Sequence, residues 1–111
     1  MSEDRLQIDC YMWFHNKYPN LRGLLFHVPN GGSRSKREGA KFKAMGVYPG
    51  VSDFLFIYDN KLYCIELKIQ KGKQSKVQKK WEDTVLNEGC IYNIVRSQSE
   101  FEVLIESILK N

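Results

Sequence analysis

Apolar side chains recur along the chain in two rhythms, one helical and one extended. Over residues 3–17, Leu6, Cys10, Trp13 or Phe14 and Lys17 keep helical spacing, and Tyr18-Pro19 ends the pattern. Leu24–Val28 is a short apolar run that reads as a strand, followed by the dense turn cluster Pro29-Asn30-Gly31-Gly32-Ser33. Ser35 and Glu38 have capping-box spacing, which predicts a short helix closed by Gly46. After the Pro49-Gly50 turn come two predicted strands, 52–58 and 61–69, joined by Asp59-Asn60. Ser75 and Gln78 open another helix, which Gly89 stops. Cys90–Val95 is a fourth strand, and Ser97 with Glu100 caps a last helix carrying Phe101, Leu104, Ile105, Ile108 and Leu109 on one stripe. The predicted order is α-β-α-β-β-α-β-α: an α/β chain with a small mixed β-sheet flanked by helices.

The hairpin carries the most specific expectation. With a two-residue turn at Asp59-Asn60, Tyr58 pairs with Lys61, and the same register places Asp53 opposite Glu66. Directly opposed residues have Cβ atoms about 5 Å apart on one face of the sheet, and Lys68, two positions beyond Glu66, projects from that face too. Leu55, Ile57, Leu62 and Cys64 complete it, while Phe54, Phe56, Tyr58, Tyr63, Ile65, Leu67 and Ile69 form the other. Two apolar faces predict a central strand pair buried on both sides. Opposed carboxylates in such a setting are costly, and Lys68 can neutralise only one of them. A structural ion pair at the sheet edge would account for Lys68. A bound hard cation such as Mg²⁺ or Mn²⁺ would account for all three groups.

Length and composition narrow the setting. The 111 residues, 42% of them hydrophobic, suit one domain spanning 1–111. No apolar run approaches the about 20 residues that span a bilayer. The charged Met-Ser-Glu-Asp-Arg start has no apolar stretch behind it, so neither a membrane nor a secretory route is expected. Three cysteines (Cys10, Cys64 and Cys90) far apart in sequence read as reduced thiols of a cytoplasmic protein, not as a disulfide frame or a zinc site. Charge is distributed unevenly. Residues 34–43 and 68–80 together carry +10, which leaves −6 for the rest of a chain whose net charge is +4. Two basic stretches flanking the hairpin point to a polyanion, with phosphates as the natural target.

Gly50-Val51-Ser52-Asp53, Glu66-Leu67-Lys68 and then Gln78 on the next helix resemble the signature of PD-(D/E)xK nucleases. The His27-x-Pro29-Asn30-Gly31-Gly32 loop, Met45-Gly46 and the Pro49-Gly50 turn narrow the resemblance to the VRR-Nuc (virus-type replication–repair nuclease) branch, over nearly the whole chain. Ser52 departs from it, since members often have proline before the aspartate; the change is expected to loosen the turn.

The resemblance implies a restriction-endonuclease-like core and a Mg²⁺- or Mn²⁺-dependent DNA endonuclease. Asp53, Glu66 and the backbone carbonyl of Leu67 would bind the metal, and Lys68 would orient or activate water and stabilise the transition state. Gln78 would support the site or touch DNA. A helix carboxylate near the N-terminus is also implied at the metal, with Glu3 the candidate and Asp9 the runner-up; either Glu3 does this or it is a favourable first-turn charge. A chain this short has no separate DNA-recognition module, so a homodimer acting on branched DNA, a four-way (Holliday) junction in particular, is the expectation, with no organic cofactor.

Asn30, Gly31, Gly32 and Ser33 could offer amides to a phosphate, with Arg34, Lys36 and Arg37 adding charge, or they form a plain loop turn. Lys71, Lys73, Lys76, Lys79 and Lys80 suit salt-dependent phosphate contacts. His27 either reaches the site from its strand or is structural; no role is expected of His15, and Trp13, Phe14 and Trp81 read as core or dimer-contact aromatics, with base stacking the lesser alternative for one of them. The rival readings are a catalytically silent nucleic-acid-binding module and a flap- or restriction-type nuclease on the same fold.

Overall fold

The structure, a computed structural model, describes residues 1–29 and 35–110. Asn30, Gly31, Gly32, Ser33 and Arg34, expected to contact phosphate, lie outside the described residues.

Among the described residues four α-helices and four strands follow the predicted order. Helix α1 spans Glu3–Lys17; its N-cap Ser2 accepts a hydrogen bond from the Arg5 amide, and Leu6, Cys10 and Phe14 are its buried positions. A single 3₁₀ turn, Pro19–Leu21, leads to strand β1, Leu25–His27. Helix α2 spans Lys36–Ala44 behind a complete Ser35–Glu38 capping box, and none of its residues is buried. Strands β2 (Phe54–Tyr58) and β3 (Lys61–Leu67) form the hairpin. Asp59 and Asn60 both adopt positive φ, 52° and 61°, the left-handed pair that a two-residue hairpin turn of right-handed twist requires. Helix α3, Lys76–Asn87, opens on a complete Ser75–Gln78 capping box. Strand β4 is Ile91–Val95, and helix α4 is Gln98–Lys110. Ser97 Oγ caps the Glu100 amide as expected, but the Glu100 carboxylate turns back to the Arg96 amide and not to that of Ser97.

The sheet order is β1-β2-β3-β4. The first two pairings are antiparallel and β3–β4 is parallel, so α3 is the crossover of a β-α-β unit within a mixed sheet. The hairpin register is the expected one, Tyr58 opposite Lys61 through Phe54 opposite Ile65.

Helices α1 and α4 cover one face. Phe14 meets Phe56 edge-on, and Trp13 and Phe54 both contact Phe101. Helix α3 covers part of the other face, with Trp81 against Tyr92. The sequence reading of a strand pair buried on both faces holds only for β3. Along β2, Phe54 and Phe56 are buried, but Leu55 is only partly covered and Ile57 is 45% exposed. The reason is the position of α3, which packs chiefly on β4 and reaches β3 through the Gln78–Glu66 hydrogen bond. Both hairpin strands are also shorter than predicted. At the β2 end the Asp53 side chain replaces a backbone partner, and at the β3 end Gln70 turns the chain at φ 48°.

Candidate active site

Strand alternation puts Glu66 and Lys68 on the α3 side of β3, at the end of the strand away from the hairpin turn. Asp53 stands one residue outside β2 and continues its register, opposite Glu66. Its Oδ2 accepts a 2.7 Å hydrogen bond from the Leu67 amide, so the carboxylate takes the place of the next rung of the ladder. The backbone carbonyl of Asp53 lies 2.6 Å from His27 Nδ1, which ties the aspartate to the end of β1.

Ser52 does not loosen this turn. It is fully buried, and its hydroxyl donates to the Phe54 carbonyl at 2.8 Å, fixing the backbone on both sides of Asp53. Gly50, at φ 86°, is pressed against the first turn of α3. A Cβ there would overlap the Val77 carbonyl and come within 3.0 Å of the Gln78 nitrogen. Only glycine allows the approach. The same turn of helix carries Gln78, whose Oε1 accepts from the Ser75 amide at 2.8 Å while its Nε2 donates to Glu66 Oε2 at 2.9 Å. The capping box thus serves the helix and aims an amide at the carboxylate.

Glu66 is 1% exposed. One of its oxygens, Oε2, has the Gln78 amide and the Lys68 ammonium, the latter at 3.7 Å. The other, Oε1, is buried with no hydrogen-bond partner. Burial pushes the Glu66 carboxyl up to about 8, the Asp53 charge adds to this, Lys68 opposes it and Glu3 contributes a little more. A carboxylate so placed needs either a proton or a cation.

Of the two helix carboxylates weighed from sequence, Glu3 is the one beside the site. Its Oε2 and Lys68 Cδ both lie 3.7 Å from where a Gly72 side chain would begin. Asp9 is held by Arg5 at 3.0 Å. Among the described residues no group of three or more His, Cys, Asp or Glu side chains is gathered closely enough to hold a metal ion. A divalent ion would therefore rest on Asp53, Glu66, backbone oxygen and water, a donor set that suits Mg²⁺, which keeps several of its waters. The unpartnered Glu66 oxygen fits such an ion.

Lys36 and Arg37 are exposed on the first turn of α2, and Lys71, Lys73 and Lys76 are exposed on and after the loop that follows Lys68. The two buried thiols, Cys10 and Cys64, are pushed up to about 12 by burial and are not nucleophiles.

Arg96 carried no signal in the sequence. Its Nη1 donates to the carbonyls of Gln70 at 2.9 Å and Gly72 at 2.8 Å, clamping the loop that walls Lys68. Only the parallel pairing of β3 with β4, which brings the Val95 carbonyl to the Lys68 amide, puts it there. A cavity of about 390 Å³ between β4 and α4 is lined by Ile94, Val103, Leu104 and neighbours, with Glu100 its one charged group; the carboxylates are not part of it.

No family model matches the chain, and no curated protein matches it in sequence. A solved structure described as a VRR_NUC domain protein superposes on it with a TM-score of 0.81 at 23% identity, covering 99% of this chain and 89% of that one. The fold is that of a VRR-Nuc domain. The sheet of this chain has the mixed order described above, and at its heart are the opposed carboxylates and the lysine two residues on. No helix among the described residues is long and apolar enough to cross a membrane.

Proposed function

We propose that this chain is a divalent-metal-dependent nuclease that hydrolyses DNA phosphodiester bonds. The observation that carries the reading is the buried, unpartnered Oε1 of Glu66, across the strand pair from Asp53 and with Lys68 on its other oxygen. A buried carboxylate oxygen without a partner is uncommon in a folded protein, and a bound cation would satisfy it. The VRR-Nuc fold supports the same conclusion.

In this reading Asp53 and Glu66, with the Leu67 carbonyl and Glu3 nearby, would hold Mg²⁺ or Mn²⁺. Once bound, the ion supplies a Lewis acid for the scissile phosphate and lowers the pKa of a coordinated water. The chain's own groups do the rest. The Lys68 ammonium, anchored by Glu66, offers its remaining donors to the attacking water and to the charge that grows on the phosphate oxygens. Gln78 holds Glu66 in its rotamer through Nε2. The bond from the Leu67 amide keeps Asp53 from turning away. Asn30, Gly31, Gly32, Ser33, Arg34, Lys36, Arg37, Lys71, Lys73 and Lys76 contact the phosphate backbone. The basic residues suit phosphate contacts, which carry no base sequence, and this supports selection for structure, with the four-way junction as the proposed substrate. The apolar strip of β2, with Leu55 partly covered and Ile57 exposed, supports a second copy in a homodimer.

The test is cleavage of branched and linear DNA with Mn²⁺, Mg²⁺ or EDTA by the wild type and by Asp53→Asn, Glu66→Gln and Lys68→Ala. Metal-dependent cutting that each substitution lowers by at least about 100-fold is expected, the scale of losing one transition-state contact. Tight binding without cutting in any metal would establish the silent-binder alternative. Cutting of linear duplex at one sequence alone would establish the restriction-type alternative.

A further inference from the structure

We propose that the cavity between the loop after Lys68, the first turns of α3 and the end of β4 is a second phosphate-binding subsite, in which Arg96, Lys73 and Lys79 grip the DNA backbone beside the cleavage site. This deepens the nuclease reading and rests on it for the identity of the ligand.

The cavity has a volume of about 260 Å³ and is lined by Lys73, Gln74, Lys79, Ile94 and Arg96. Three cations and no acid line it. Among the described residues Lys73 and Lys79 have no ion-pair partner, since the pairs present are Arg5–Asp9, Lys17–Glu106 and Lys68–Glu66. Three like charges converging on one concave surface repel one another, and an anion removes the conflict. Two acids stand just outside the lining: Glu82 accepts a 2.9 Å hydrogen bond from Gln74 Nε2, which also donates to the Tyr92 hydroxyl, and Glu100 accepts from the Arg96 backbone amide at 3.0 Å.

Arg96 is preorganised for the task. Both its backbone contacts leave from Nη1, so the guanidinium plane is fixed while Nη2 and Nε are not spent on them. A fixed planar fork suits a phosphate, which takes two parallel N–H bonds. The location suits a substrate contact as well. Arg96 follows Val95, whose carbonyl bonds the Lys68 amide, so the cavity is one residue across the sheet from the catalytic lysine. A strand whose scissile phosphate sits at Asp53 and Glu66 would carry a neighbouring phosphate past Arg96.

The experiment measures binding of a fluorescein-labelled DNA duplex by anisotropy, in EDTA, across a salt series. The double variant Lys73→Gln/Lys79→Gln is compared with Lys61→Gln/Lys110→Gln, which makes the same charge change away from the cavity. Each lost phosphate contact removes about 0.9 from the slope of log K against log salt. The cavity pair is expected to flatten the slope by about 2 and to weaken low-salt binding at least tenfold relative to the control pair. Slopes and affinities that coincide for the two pairs overturn the subsite. So does inorganic phosphate alone raising the wild-type melting temperature as far as the duplex does, since the cavity would then serve a free anion. Because binding is read without metal, absence of any cleavage would fail the nuclease reading and leave this measurement standing. Coincident pairs beside intact cleavage would fail the subsite alone.

Discussion

On the side of α1 and α4 the sheet meets Phe14, Phe54, Phe56, Phe101 and Ile105, none more than 1% exposed, in a continuous aromatic and aliphatic core. On the side of α3 the strand at its centre, β3, presents Cys64, then Glu66, then Lys68, and the helix that covers them supplies a glutamine amide and lysines. The first face gains stability from every side chain it buries. The second spends some of that gain to keep a carboxylate dry and half unpartnered. The difference teaches where the chain is robust and where it is poised. Substitutions on the core side should cost stability, whereas removing the Glu66 charge on the α3 side should cost function and add stability.

The largest stability effect is expected from the core. Phe56→Ala should cost about 3–5 kcal/mol, the usual range for a fully buried phenylalanine, and would show as a much lower melting temperature or as failure to fold. Gly50→Ala should come next. A methyl group meeting the Val77 backbone, at a φ that disfavours any side chain, is expected to cost about 1–3 kcal/mol. It should also push the first turn of α3 off the sheet and break the Gln78–Glu66 bond, so cleavage would fall further than stability alone explains. Measuring both on one preparation checks this.

A smaller effect of opposite sign is expected at Glu66. Its carboxyl is raised from 4.5 to about 8 in the fold, so the folded state holds the proton more tightly than the unfolded chain does. The stability this gives is complete below pH 4.5 and is lost as the pH climbs through about 8. The metal-free protein should therefore melt at a higher temperature near pH 5 than near pH 8. Glu66→Gln should flatten that difference and raise the melting temperature at pH 8. Added Mn²⁺ should do the same for the wild type and nothing for the variant. A lower melting temperature for Glu66→Gln in the metal-free state would make Glu66 structural and erase the contrast between the two faces.

Much of this was legible from residue order. The hairpin register followed from Asp59-Asn60, because the two-residue turn admits one pairing and these residues tolerate its positive φ. Helix starts were legible wherever a serine stood three residues before Glu or Gln. The faces of β2 and β3 were assigned correctly by alternation, and so was the burial of β3, but that of β2 was not, because how far the helices cover the sheet is a matter of packing and not of period. Glu3 and Asp9 could not be separated by spacing either, since both lie on α1 and only its docking decides which one nears Lys68.

Local chemistry along the chain thus determined the elements, their order, the opposed carboxylates with a lysine beside them, and the surplus of positive charge in two stretches. Those properties depend on turns, caps and alternation, which act over a few residues. Tertiary structure alone decided that one oxygen of Glu66 is left dry and unpartnered, that Gly50 seats α3 against the site, and that Arg96 arrives next to Lys68. Each of these depends on where a helix or a parallel strand docks, and docking is set by the fit of whole surfaces far apart in sequence.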